Sequence, residues 1–138
     1  MIGIVIAAHG KLGAELIRTA EEVVGPIAKC MAVDLRDLQA SNEAAERFAA
    51  AVHSVDTGDG VVILTDMFGG TPANLGLSML DEGKIEVLTG VNLPMLLKLA
   101  TCRSAIGGDA SNLHETVRLI KYYGQKNISV ASEFLSTS

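Results

Sequence analysis

The sequence predicts an α/β fold: a doubly wound, mostly parallel sheet of strand order 2-1-3-4, with helices on both faces and a C-terminal antiparallel edge strand. Three observations lead there. Two continuous apolar runs, Ile2-Gly3-Ile4-Val5-Ile6-Ala7-Ala8 and Gly60-Val61-Val62-Ile63-Leu64, have the character of strands buried on both faces. Segments with apolar residues at helical spacing separate the strand candidates, so strands alternate with helices and the crossovers are right-handed. Glycine and proline punctuate the joins, with no repeat, low-complexity stretch or long linker, so the 138 residues read as one domain, 1–138. The order 2-1-3-4 is the commonest small solution of such an alternation. It puts the topological switch point between strands one and three.

Strand one is the run 2–8. Leu12, Leu16, Ala20, Val23 and Val24 then recur at helical spacing, with Glu15, Arg18, Glu21 and Glu22 opposite, and Gly25-Pro26 ends that helix. The stretch 27–35 is a weaker strand candidate. Ser41-Asn42-Glu43 caps a second helix whose core face is Ala45, Phe48, Ala49 and Val52. A polar turn over 55–60 leads to strand three. Thr71 as N-cap and Pro72 at the first helical position start a helix over 72–80, which Asp81-Glu82-Gly83 stops. Residues 84–89 form strand four, and Gly90-Val91-Asn92-Leu93-Pro94 leads into a short helix over 95–100. Gly107-Gly108 is a loop, Ser111 or Asn112 caps a helix running to Tyr123, and Gly124 ends it. The partly polar stretch 127–134 reads as the last strand, at an edge or between molecules.

Composition bounds the partners. The net charge is -5 and no basic run is present, which argues against nucleic acid and anionic membranes, since a phosphate footprint needs clustered Lys and Arg. An acidic chain suits docking on a basic protein face. Cys30 and Cys102 are far apart and form no C-x-x-C, so they read as free buried thiols in a reducing compartment. The first apolar run is too short and glycine-punctuated for a signal peptide, and no run approaches the ~20 residues of a transmembrane helix. A cytoplasmic protein without membrane insertion is the expectation.

Chemistry is expected where the strands end. Strand one delivers His9-Gly10 just before a helix, and strand three delivers Asp66 just before the turn Met67-Phe68-Gly69-Gly70-Thr71 and a second helix. Free backbone N–H groups and the helix dipole favour anions at such a place. If His9 and Asp66 meet at the switch point, the carboxylate fixes the imidazole tautomer, orients the ring and stabilises charge developing on it. No Ser or Cys stands placed as the attacked partner, so the imidazole itself is the nucleophile. Gly69, Gly70 and the Thr71 hydroxyl can then stabilise a transferring phosphoryl group. Taken alone, a histidine at a strand end is more often a hydrogen-bonded structural residue, Asp66 could be a turn-former, and Gly69-Gly70 only a tight turn. Two candidate ligands fall short of a metal site. His53 and His114 lie on predicted helices, where solvated positions are the default. The glycine turn lacks the lysine of a P-loop and no G-x-G-x-x-G follows a strand, so neither nucleotide nor any other cofactor is expected.

Three motifs in this order, Ile4-Val5-Ile6-Ala7-Ala8-His9-Gly10, Leu64-Thr65-Asp66-Met67-Phe68-Gly69-Gly70-Thr71-Pro72-Ala73-Asn74 and Thr89-Gly90-Val91-Asn92-Leu93-Pro94-Met95-Leu96, resemble the enzyme IIA domain of the mannose family of the bacterial sugar phosphotransferase system (PTS). The resemblance covers essentially the whole chain. It implies a phosphotransferase component, with a phosphohistidine at His9 formed from phospho-HPr and passed to an enzyme IIB component in sugar uptake. It also implies that Asp66 holds the ring and that Thr71 lies against the phosphoryl group. A homodimer that exchanges a C-terminal strand, here 127–134, and an association with a membrane permease complex are implied as well. Ala8 stands where sugar-transport members often have Thr, and Phe68 where some have Trp. Two alternatives stay open: a regulatory sensor of phosphorylation state without sugar transport, and the phosphocarrier subunit of a dihydroxyacetone kinase.

Overall fold

β1 (Gly3–Ala8) is buried along its whole length and lies at the centre of a four-stranded sheet. The computed structural model describes residues 1–34, 41–67, 80–81, 83–103 and 110–136. β2 (Cys30–Asp34), β3 (Val61–Thr65) and β4 (Ile85–Thr89) complete the sheet in the order β2-β1-β3-β4. All three pairings are parallel, with Ile4 opposite Cys30, Gly3 opposite Val61 and Val61 opposite Ile85 at the starts of the ladders. The fold is the doubly wound one that the alternation of strands and helices predicts.

The two-residue period of the strands divides the core. Ile4, Ile6 and Ala8 of β1, with Val62 and Leu64 of β3, pack on one face against Ala20 of α1 (Leu12–Val24), Leu96 and Leu99 of α3 (Leu93–Cys102) and Leu113 and Ile120 of α4 (Ala110–Lys126). Val5, Ala7, Val61 and Ile63 point to the other face. There they meet Phe48, Ala51, Val52 and Val55 of α2 (Ser41–Val55). The buried stripe of α2 therefore runs through 48, 51, 52 and 55, and Ala49, expected in the core, is exposed. Helical periodicity allows either flank of Phe48, and the sheet selects one.

Several ends follow local rules. α1 stops where Gly25 donates its N–H to the Glu21 carbonyl at 2.9 Å. Lys84 and Ile85 both donate to the Asp81 carbonyl, closing the turn into β4. β2 is shorter than expected and begins only at Cys30. The chain before it is held differently, by Arg103 just past α3. This arginine is buried, and its guanidinium donates to the carbonyls of Ile2 (3.0 Å), Lys29 (3.3 Å) and Ala28. It joins the amino-terminal ends of β1 and β2 to the end of α3.

Two expectations at the C-terminal end are corrected. Gly124 does not stop the last long helix, which continues to Lys126; it lies in that helix where α4 passes Met95. Nor do residues 127–134 form a strand. Asn127 and Ile128 turn out of α4, and the chain re-enters a short helix, α5 (Ala131–Ser136), with Glu133 in its first turn. A strand needs a ladder alongside it, and within one chain this segment has none. Its apolar side chains stay in solvent: Ile128 is 75% exposed, Phe134 68% and Leu135 80%. The predicted helix over 72–80, its Thr71 cap and the Gly107-Gly108 loop lie outside the described residues.

Candidate functional site

The carboxyl ends of β1 and β3 are neighbours in the sheet, so the residues that follow Ala8 and Thr65 are brought side by side. His9 and Asp66 do meet there. Asp66 Oδ2 accepts the backbone N–H of His9 at 3.0 Å and lies 2.8 Å from the ring Nδ1. The carboxylate therefore grips both the backbone and the ring of the same residue. The Asp66 side chain is 12% exposed and that of His9 is 52% exposed. The acid is mostly covered, and the histidine is half exposed.

The ionisation of the pair sets the tautomer. Burial pushes the Asp66 carboxyl up, but the backbone N–H of His9, the ring hydrogen bond and the charge of the ring together outweigh it and hold the group below the ordinary aspartate value. An ionised carboxylate only accepts, so Nδ1 must be the donor. In the neutral ring the lone pair is then on Nε2, on the exposed side. A ring held in this way can act as an oriented nucleophile, with an anion behind it to balance positive charge if a bond forms at Nε2.

The surroundings suit an incoming macromolecule. α1 begins at Leu12, directly after the His9-Gly10-Lys11 turn, and Leu12 N–H reaches the His9 carbonyl at 3.4 Å. Leu12 (46% exposed) and Met67 (54% exposed) stand in the chain close to His9 and Asp66 and present apolar surface. Gly69, Gly70 and Thr71, the expected phosphoryl-binding residues, lie outside the described residues. The other two histidines are not part of the site. His53 is in the last turn of α2, which leads to the amino end of β3, and His114 of α4 lies 3.9 Å from Glu86 near the start of β4. Among the described residues, no group of three or more His, Cys, Asp and Glu side chains is gathered for a metal, and no helix is long and apolar enough to cross a membrane.

One supporting residue was not singled out from the sequence. Asn92 caps α3, its Oδ1 accepting from Met95 N–H at 3.0 Å, and Pro94 sits in the first turn. An asparagine followed by proline two residues later before an apolar helix is a start signal, and it places the helix at Leu93 rather than Met95.

The chain is thus an α/β protein with a doubly wound sheet and a carboxylate-held, half-exposed histidine at its switch point. The family described as the PTS system fructose IIA component, EIIA-man, matches residues 3–118. Over 128 residues the chain is 30% identical to the mannose-specific EIIAB component of the PTS of Escherichia coli, a match that takes in 92% of this chain and 38% of that protein's length. It is 27% identical over 136 residues to the fructose-specific EIIA component of the PTS of Bacillus subtilis, covering 98% of this chain and 90% of that one. The structure is similar to the crystal structure of a phosphotransferase system component EIIA from Streptococcus agalactiae, with a TM-score of 0.79, 26% identity, and coverage of 96% of this chain and 99% of that one. The chain belongs to the mannose-type EIIA family of the phosphotransferase system.

Proposed function

We propose that the protein is a phosphocarrier in which His9 Nε2 accepts a phosphoryl group from the phosphohistidine of HPr and passes it to an enzyme IIB component in sugar uptake. The observation that carries this reading is the 2.8 Å contact between His9 Nδ1 and Asp66 Oδ2, with the acid mostly covered and the ring half in solvent. In the transfer, the Nε2 lone pair forms a bond to phosphorus as the bond to the donor histidine breaks, and that electron pair stays on the donor nitrogen. His9 keeps its Nδ1 proton throughout and becomes a cationic phosphoimidazole, and Asp66 balances that charge. Gly69, Gly70 and Thr71 are assigned the non-bridging phosphoryl oxygens. Leu12 and Met67 are assigned to the docking face for HPr and the IIB component.

We also infer that the chain pairs with a second copy, through Ile128, Val130, Phe134 and Leu135. Their exposure supports this, together with a groove of about 320 Å³ beside the edge strand β4, lined by Val87, Thr89, Asn92, Lys121 and Ile128.

The function is tested by incubating the protein with phosphoenolpyruvate, enzyme I and HPr and measuring intact mass. One acid-labile phosphoryl group per chain is expected in the wild type and none in His9→Ala. Label on His9→Ala, or none on the folded wild type, would sink the assignment.

A further inference from the structure

The peptide that carries Asp66 is held from its far side. Gly90 and Val91, in the turn after β4, both donate their N–H groups to the Thr65 carbonyl at 2.9 Å. Gly90 makes this turn with φ of +82°, in the left-handed region. Two donors on one carbonyl fix the plane of the peptide from which the Asp66 side chain sets out toward His9.

What fixes the turn is the next residue. Asn92 Oδ1 accepts from Met95 N–H at 3.0 Å at the start of α3, and Asn92 Nδ2 donates to the Gly124 carbonyl at 3.3 Å. That carbonyl belongs to the last turn of α4, where carbonyls lack intrahelical partners, and it also accepts from Asn127 N–H. One side chain thus satisfies the amino end of one helix and the carboxyl end of another. The reach depends on Gly124, where an added Cβ would stand 2.5 Å from both Cγ and Sδ of Met95. Only glycine lets α4 approach this closely.

We propose that Asn92 is a positioning residue for phosphoryl transfer: by tying α3 to α4 it holds Gly90 and Val91 on the Thr65 carbonyl, and so holds Asp66 where it can orient the His9 ring. Asn92 has no hydrogen bond to His9 or Asp66, so it acts through the backbone. The proposal rests on the reading of His9 as the phosphoryl acceptor.

Asn92→Ser tests it, because serine keeps an N-cap oxygen for α3 but is too short to reach Gly124 as well. Phosphorylation by phospho-HPr is followed over a range of phospho-HPr concentrations, and the ring nitrogens of His9 are observed by ¹⁵N NMR. The expected maximal rate is about tenfold lower, at the weak end of what outer partners of a reacting group contribute. The half-saturating concentration stays unchanged, because Asn92 is not on the docking face. The ring spectrum should lose the signature of a single Nδ1–H tautomer. In an Asp66→Ala background the same change should have no further effect on rate, since it acts through Asp66. A wild-type maximal rate with an intact Nδ1–H signature, or the same tenfold loss in both backgrounds, would overturn the proposal. Failure of the wild type to accept label would overturn the phosphocarrier reading instead, and the ring spectrum, which needs no donor, would still decide the role of Asn92.

Discussion

Asp66 makes two hydrogen bonds to one residue, both through Oδ2, and its other oxygen is buried without a partner among the described residues. The carboxylate is thus committed to His9, and replacing it should separate charge from shape. Asp66→Asn keeps the outline, but an amide NH₂ turned to Nδ1 would leave the proton on Nε2, the attacking atom. Phosphoryl transfer from phospho-HPr should fall about 10²-fold or more in stopped-flow or quench assays. The fold should persist, because the residue stands at a strand end. A wild-type rate in this variant would make Asp66 structural. Acid stability gives an independent reading of the same pair. A carboxyl held below its ordinary value contributes stability that is present above that value, about pH 3.9 for aspartate, and is lost as pH falls through the folded one. The stability difference between wild type and Asp66→Asn, from urea titrations, should therefore shrink toward acid below about pH 4. A difference that grew as the pH fell would contradict the lowered value.

Where the elements run was legible when their signals were local. The buried runs of β1 and β3 and the Gly25-Pro26 stop of α1 are read from adjacent residues, and the meeting of His9 and Asp66 follows once both end neighbouring strands. Long-range causes were not legible. Among the described residues Arg103 bonds to backbone carbonyls, which every sequence supplies, and Asn92 acts across to a helix 32 residues away. Glycine carries two meanings, as stop and as close contact, and at Gly124 the deciding neighbour, Met95, is remote in sequence. Gly124→Ala measures that contact. Alanine would favour the helix by roughly 1 kcal/mol, whereas forcing a methyl into packed surroundings costs about 1–3 kcal/mol. Met95 is buried, and the clash is with the middle of its side chain, so packing should win. A net loss of about 1 kcal/mol is expected on denaturant unfolding, with a smaller loss when Met95→Ala is present as well. A stabilised Gly124→Ala would show that α4 can move away from α3 without cost.

At the scale of the whole molecule, the apolar side chains of the C-terminal segment are largely exposed. Ile128, Val130, Phe134 and Leu135 are each more than half exposed, and β4 is the last strand of the sheet among the described residues, with Asp81 bridged to Ile85 at its start. Burying such a side chain fully is worth about 1.5–3 kcal/mol. In a two-fold dimer every contact occurs twice, so four residues per chain offer roughly 12–24 kcal/mol as an upper bound. Association costs an estimated ~4–15 kcal/mol. Half of that apolar gain, roughly 6–12 kcal/mol, is of the same size as the cost, so a dimer also needs further contacts, which pairing along β4 can supply. The dimer should sediment at about twice 14.4 kDa, and its melting temperature should rise with protein concentration. The double variant Phe134→Glu, Leu135→Glu changes exposed side chains, so it should shift the unfolding free energy of the monomer by no more than about 0.5 kcal/mol. In the dimer it would place four carboxylates in an apolar contact. The variant should sediment as a monomer and melt independently of concentration, with His9 still accepting a phosphoryl group because the site is built within one chain. A wild type that stays monomeric at tens of micromolar would refute self-association; a variant as dimeric as wild type would place the contact elsewhere on the chain.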